Sequence, residues 1–297
     1  MKTVKKLLKK DMKEKREFVN IYIDRHLPKK DEYPKVIHKA MRYSLFSGGK
    51  GVRSYLAIST YNLFSDDIKP IIPLAAAIEM IHTYTLIHDD LPYIDNDDFR
   101  RGKKSCHKMF GQDIAILAGD ALLTYAMEIV GTMELDTRLA SRVAKILTDA
   151  IGANGLVGGQ FLDVESANKY VSTSTLKYIH QNKTGKLFYA PVEIALLMAS
   201  ASKEKAQIMR KYAQTIGLAF QIADDVLDIE GNFKTLGKSV GKDLEQKKAT
   251  YPAVFGLDVS KQEMRRLVER AKKMLECFEE KGDMLMRFTE YIYTRQF

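Results

Sequence analysis

His88-Asp89-Asp90-Leu91-Pro92-Tyr93-Ile94-Asp95-Asn96-Asp97-Asp98-Phe99-Arg100-Arg101-Gly102 is the stretch around which the chain is organised. Five aspartates fall within ten residues, and two arginines follow at once. An apolar helical run, Leu74 to Ile87, leads into it. Acid beside strong base at the end of a greasy helix suits metal ions that hold a phosphorylated ligand. Mg²⁺ is usually held by one or two carboxylates plus substrate phosphate oxygens. Arginines grip the remaining oxygens bidentately. Taken alone, the stretch reads equally as a solvated acidic loop.

Pro92 shapes the geometry. Leu91 before it is disfavoured in the α region, so the helix loosens there. Asp89 and Asp95 are six apart, a poor spacing for one helical face, and a break at Leu91-Pro92 would bring them together. An EF-hand is excluded: with Asp95 first, Phe99 takes position five and Arg100 the glycine slot.

Working outward, 3.6-period apolar patterns dominate and period-two alternation is scarce. The chain reads as all-α: one large bundle of about a dozen helices forming a single domain over residues 1–297. Helices are predicted over about 3–26, 33–46, 51–64, 71–91, 112–131, 136–152, 154–166, 173–200, 203–230, 242–256, 261–279 and 283–294. Two cysteines, Cys106 and Cys277, make no disulfide framework, and no CxxC occurs, which predicts a reducing, cytoplasmic setting. No secretory h-region and no run of 18 apolar residues is present, so no membrane anchor is expected. Net charge is +9, of which residues 1–20 carry +5. Val4, Leu8 and Met12 give that basic segment a narrow apolar stripe, suited to a docked helix or to a membrane surface. Nothing resembles a nucleic-acid-binding motif.

Further stretches could carry chemistry. In Ser47-Gly48-Gly49-Lys50-Gly51-Val52-Arg53, paired glycines admit close backbone approach, and Lys50 and Arg53 sit at a helix start, a good phosphate site. His82 and Asp89 are seven apart on one helical face, roughly 10 Å along the axis, with Thr85 between them. Asp224-Asp225-Val226-Leu227-Asp228 places Asp224 and Asp228 four apart on one face, and Gln221 lies seven before Asp228. Three carboxylates in an apolar helix are costly unless paired or metal-bound. Lys183-Thr184-Gly185 lies mid-helix upstream of Pro191, which is expected to distort that helix. Lys238 lies in a glycine-flanked loop and Lys248 follows it. Cys106-His107 reads as structural.

With both acidic motifs in place, the chain resembles the trans-isoprenyl diphosphate synthases (polyprenyl synthetases), and within them the short-chain bacterial farnesyl diphosphate synthases. G-G-K-G-V-R, D-D-L-P-Y-I-D-N-D-D-F-R-R-G, K-T-G and G-L-A-F-Q-I-A-D-D-V-L-D occur in order between about Gly48 and Arg295. The resemblance implies helices around a deep central cavity and a homodimer. It implies three Mg²⁺ ions, with Mn²⁺ as a substitute, on Asp89, Asp95 and Asp224, supported by Asp90 and Asp228. Arg100, Lys183, Thr184, Gln221 and Lys238 would surround an allylic diphosphate. Lys50, Arg53, His82 and Arg101 would hold isopentenyl diphosphate, and Gly49 and Lys248 join the substrate-binding set. Asp89, Asp95, Arg100, Lys183, Asp224 and Lys238 would carry the chemistry. Asn232 and Ser105-Cys106 depart from the pattern of many relatives without touching a named ligand.

The implied activity is head-to-tail condensation of isopentenyl diphosphate with dimethylallyl or geranyl diphosphate. A terpene cyclase needs no second diphosphate site, and a non-catalytic partner subunit needs no intact aspartates, so both fit less well. Product length is expected to turn on the helix before Asp89. Ideal geometry puts Thr85 beneath Asp89, with Tyr84 roughly 7.5 Å along the axis and about 140° round. The resemblance gives bacterial farnesyl synthases an aromatic at Tyr84's place, hence a C15 product; C20 is the alternative.

Overall fold

The computed structural model describes residues 2–169, 171–230 and 249–294. The order is α1 (Lys2–His26), α2 (Lys35–Leu45), α3 (Val52–Asn62), α4 (Ile72–Asp89), a hairpin of β1 (Phe99–Arg100) and β2 (Lys103–Lys104), α5 (Cys106–Phe110), α6 (Gln112–Thr132), α7 (Thr137–Ile151), α8 (Leu156–Glu165) and α9 (Thr173–Ile179). A π-helical turn, His180–Gly185, leads into α10 (Lys186–Met198). Then come α11 (Lys203–Glu230), α12 (Tyr251–Phe255), α13 (Leu257–Leu275) and α14 (Asp283–Thr294).

The all-α reading holds, with three differences. The hairpin pairs Phe99 with Lys104 and Arg100 with Lys103, a two-residue ladder too short for alternation to reveal. The predicted helix over 173–200 carries a π turn near its middle, ending six residues before Pro191. Pro191 itself sits inside α10, offers no N–H to the carbonyl of Leu187, and the helix continues past it. Of the helix predicted over 242–256, α12 is the described part, and 242–248 lie outside the described residues.

Side-chain caps start several helices. Asp136 accepts from the amides of Arg138 and Leu139, each at 3.0 Å, at the head of α7. Thr250 does the same for Ala253 at the head of α12. Such a cap is worth about 1 kcal/mol.

Two hydrophobic clusters fill the interior, one around α4, α6 and α2, the other around α11, α13 and α14. Helices α3 and α10 join them: Ala57, Ile58, Leu187 and Ile194 face the first, Tyr55, Leu56, Phe188 and Val192 the second. Leu8 and Met12 of α1 are buried in the second cluster, so the N-terminal stripe is a docking face against the bundle. Truncating any of these leucines to alanine should cost about 2–5 kcal/mol.

Two stretches, Lys69–Asp89 and Gln112–Thr132, reach membrane-spanning length and apolarity. In the first, 72% of the most apolar window is buried inside the bundle, so its apolarity is that of a central helix. The second is 39% buried and exposes Ile116 and Leu117. The C-terminal ends of α4 and α11 both line a cavity of about 420 Å³.

Candidate active site

Helix α4 ends at Asp89, and the chain then curls back on itself. The amide of Asp95 donates to the Asp89 carbonyl at 2.8 Å, that of Asn96 to Leu91 at 3.0 Å, and that of Asp97 to Asp90 at 3.1 Å. The break expected at Leu91-Pro92 is there, and Asp89 and Asp95 line the cavity side by side. Burial pushes the Asp89 carboxyl up to about 6, with the Asp95 and Asp90 charges adding and Lys183 and Arg100 opposing. Asp90 is turned the other way. It is buried and does not line the main cavity; it accepts from Arg100 at both Nε and Nη2. Asp97 accepts from the same guanidinium at 3.1 Å. Asp90 therefore holds Arg100 in place against the cavity, where the resemblance implied metal support.

The second acidic motif stays on a regular helix. Asp224 and Asp228 of α11 line the cavity, as their spacing of four requires. Asp225 lines it too, but its carboxylate is engaged. Gln221 Nε2 donates to it at 2.7 Å, the Tyr251 amide at 2.8 Å, and His180 Nε2 lies 3.4 Å away. The sequence reading gave Asp225 no role. The structure makes it the tie between α11, the π turn and the start of α12.

The π turn places Lys183 and Thr184 at the cavity wall. Thr184 Oγ1 donates to Gln221 Oε1. Lys183 is paired with Asp163 of α8. Burial alone would lower the Lys183 ammonium, but Asp163, Asp89 and Asp95 outweigh it and hold it above its usual value. Helix α8 approaches so closely that a Cβ on Gly159 would lie 2.2 Å from the backbone nitrogen of Lys183. Neither Asp163 nor Gly159 stood out in the sequence, because their partner is some twenty residues away. Gln160, between them, lines the cavity with both amide atoms buried and without a hydrogen-bond partner.

The basic end is built by α3 and the glycine turn. Arg53 Nη1 donates to His82 Nε2 at 3.1 Å and its guanidinium lies over the Phe188 ring. Burial first, then Arg53, Arg101 and Arg100, holds His82 far below the usual imidazole range, so it is neutral and Nδ1 carries its proton. Burial lowers Arg53 to about 10, with Glu79 and Asp224 opposing. Arg53 Nε and His82 Nδ1 are buried donors without partners. Glu79, half-buried in α4, accepts from the Ser54 amide and hydroxyl at 3.2 and 2.8 Å and so caps α3 from outside. Lys50, Gly49, Arg101 and Thr85 also line the cavity.

Tyr84 does not line it. Its ring is buried in the first core cluster, edge-on to His88 at 5.7 Å. Thr85 is the residue beneath Asp89, as ideal helical geometry gives. Lys238 and Lys248 lie outside the described residues.

Carboxylates from the end of α4 and from α11, sharing one cavity with cations from α3, the hairpin and the π turn, suit a metal–diphosphate. Among the described residues, no cysteine lines the cavity, and no three His, Cys, Asp or Glu side chains converge tightly enough to hold a metal by themselves. Divided carboxylates fit Mg²⁺, which takes one or two from protein and completes its shell with phosphate oxygen and water. Orphan donors on Arg53 and His82 fit an anion's oxygens.

The polyprenyl synthetase family model matches residues 34–286. Geranylgeranyl diphosphate synthase of Cyanophora paradoxa is 42% identical, covering 95% of this chain and 94% of its own. Farnesyl diphosphate synthase of Geobacillus stearothermophilus is 41% identical, covering 96% of each. The crystal structure of geranyltransferase from Helicobacter pylori, complexed with magnesium and isoprenyl diphosphate, superposes with a TM-score of 0.83 at 25% identity, covering 95% of this chain and 94% of that one.

Proposed function

This chain belongs to the polyprenyl synthetase family and is a prenyltransferase, and from that premise we propose that it makes farnesyl diphosphate. Isopentenyl diphosphate condenses head-to-tail with dimethylallyl and then geranyl diphosphate. The observation that carries the reading is one cavity lined by two sets of aspartates and two sets of cations. A single diphosphate would need only one of the cationic sets.

Asp89, Asp95 and Asp224 would hold magnesium, with Asp228 in support and Asp90 acting through Arg100. When bound, Mg²⁺ supplies charge neutralisation for a leaving diphosphate. Arg100, Lys183, Thr184 and Gln221 grip the allylic diphosphate from the remaining sides as its C–O bond breaks. Leu86, Leu187 and Phe220 wall the cavity and keep water from the allylic cation. Arg53, Arg101, Lys50 and neutral His82 orient isopentenyl diphosphate so that its double bond attacks that cation. The proton lost afterwards goes to the departing diphosphate, which explains why no free carboxylate base is set aside. We assign the chain a single catalytic domain acting as a cytoplasmic homodimer; Ile116 and Leu117, exposed on α6, support the pairing.

Product length has a second reading. Tyr84 faces the core and Thr85 the cavity, which favours a longer C20 chain, and relatives of both names align along the chain. Incubation of the purified protein with isopentenyl and dimethylallyl diphosphates, with products sized by chromatography, tests both. Predominant C15 supports the proposal; predominant C20 replaces it with the second reading.

A further inference from the structure

Helix α1 precedes residue 34, where the family match starts, yet one of its side chains reaches the glycine turn. Arg16 Nη1 donates to the Gly49 carbonyl. Arg101 Nη1 donates to the neighbouring Gly48 carbonyl at 2.8 Å. Gly48 and Gly49 have φ of 115° and 102°, which side chains rarely adopt. A Cβ on Gly49 would lie 2.6 Å from Arg101 Cζ, and one on Gly51 would lie 3.6 Å from Arg16 Cγ. The turn is thus pressed between two guanidinium groups from distant parts of the chain. Two cations so close repel; Glu79 opposes this at Arg101, as does Asp90, and Glu79 also holds the head of α3 through Ser54.

We propose that Arg16 is a positioning residue for the isopentenyl diphosphate subsite, fixing the Gly48–Gly49 turn against Arg101 so that Lys50 and Arg53 are presented to the diphosphate in advance. The inference rests on the subsite assigned above. Arg16 is half-buried and does not line the cavity, so it acts through the turn and not on the substrate. Without it the turn must be ordered by each incoming substrate, which weakens binding and leaves the chemical step alone.

Steady-state kinetics of the intact protein, varying each substrate with the other saturating, test this in Arg16→Ala, Arg16→Lys, Arg101→Ala and the double alanine variant. Arg16→Ala should raise the isopentenyl diphosphate KM by about tenfold, with kcat and the allylic KM within about twofold of the parent. Arg16→Lys keeps a donor and should recover to within about threefold. The double variant should fall short of the product of the singles, because both arginines act through one turn. Melting temperatures serve as the control for a merely structural role. An isopentenyl KM within about twofold of the parent overturns the inference, as does an equal rise in both KM values with a fall in melting temperature. If Arg53→Ala turns out to weaken the allylic substrate instead, the subsite assignment fails by itself. The Arg16–Arg101 coupling, read on the substrate whose KM moves, then still decides the positioning role: a multiplicative double variant overturns it, and a submultiplicative one supports it.

Discussion

The two acidic motifs solve one problem in different ways. In α11 the helix itself aligns Asp224 with Asp228, one turn apart. In the first motif the helix stops, and backbone hydrogen bonds from Asp95 and Asp97 to the carbonyls of Asp89 and Asp90 fold the aspartates together. Each motif then divides its carboxylates. Asp89, Asp95, Asp224 and Asp228 line the cavity; Asp90 faces away and engages Arg100, and Asp225, though it lines the cavity, engages Gln221, His180 and the Tyr251 amide. A buried carboxylate that anchors a neighbour looks, in sequence, just like one that binds metal.

The largest effect should separate these classes. Asp224→Ala or Asp89→Ala should lower kcat by about 10³-fold or more, since metal stabilisation of a leaving group supplies several kcal/mol. Asp90→Asn and Asp225→Asn should lower kcat/KM by about 10–100-fold while leaving the Mg²⁺ concentration for half-maximal rate unchanged. A shifted Mg²⁺ requirement in the latter pair would erase the distinction between ligands and anchors.

Next in size are the cations. Arg53→Ala should raise the isopentenyl KM and Lys183→Ala the allylic KM, each by about 1.5–3 kcal/mol or roughly 10–150-fold. If Arg53→Ala weakens only the allylic substrate, the two subsites are exchanged. Tyr84→Ala should add about one isoprene unit by opening the core behind Thr85. An unchanged product with activity retained would show that Tyr84 does not set the length.

The smallest effect concerns stability. Burial pushes the Asp89 carboxyl up to about 6 in the fold, from 3.8 ordinarily. Between those values the folded state holds more protons than the unfolded one. Stability therefore falls as pH rises from about 4 to 6 and stays lower above. Asp89→Asn removes that loss. In chelated, substrate-free protein it should add about 1–2 kcal/mol above pH 6, discounted for partial exposure, and nothing below about pH 4. A gain that is constant with pH would assign the effect to packing.

Much of this was legible in the sequence because it is local. Helical period, the α11 spacing, the Leu91-Pro92 break and the glycine turn before α3 all follow from neighbours within a few residues. What stayed hidden is tertiary. Asp163 matters through Lys183, Glu79 through Ser54, Arg16 through Gly49 and Asp225 through Tyr251, and no periodicity encodes those pairings. Tyr84 shows the same limit from the other side: its rotation about α4 was calculable, but which neighbour fills that side was not.

The claim at the centre is that cavity carboxylates work by holding a divalent cation against a diphosphate. The direct measurement is turnover of isopentenyl with geranyl diphosphate by purified protein, first in excess chelator and then with Mg²⁺ restored. The account predicts no product in chelator and full recovery on adding Mg²⁺. Undiminished turnover in chelator would contradict it.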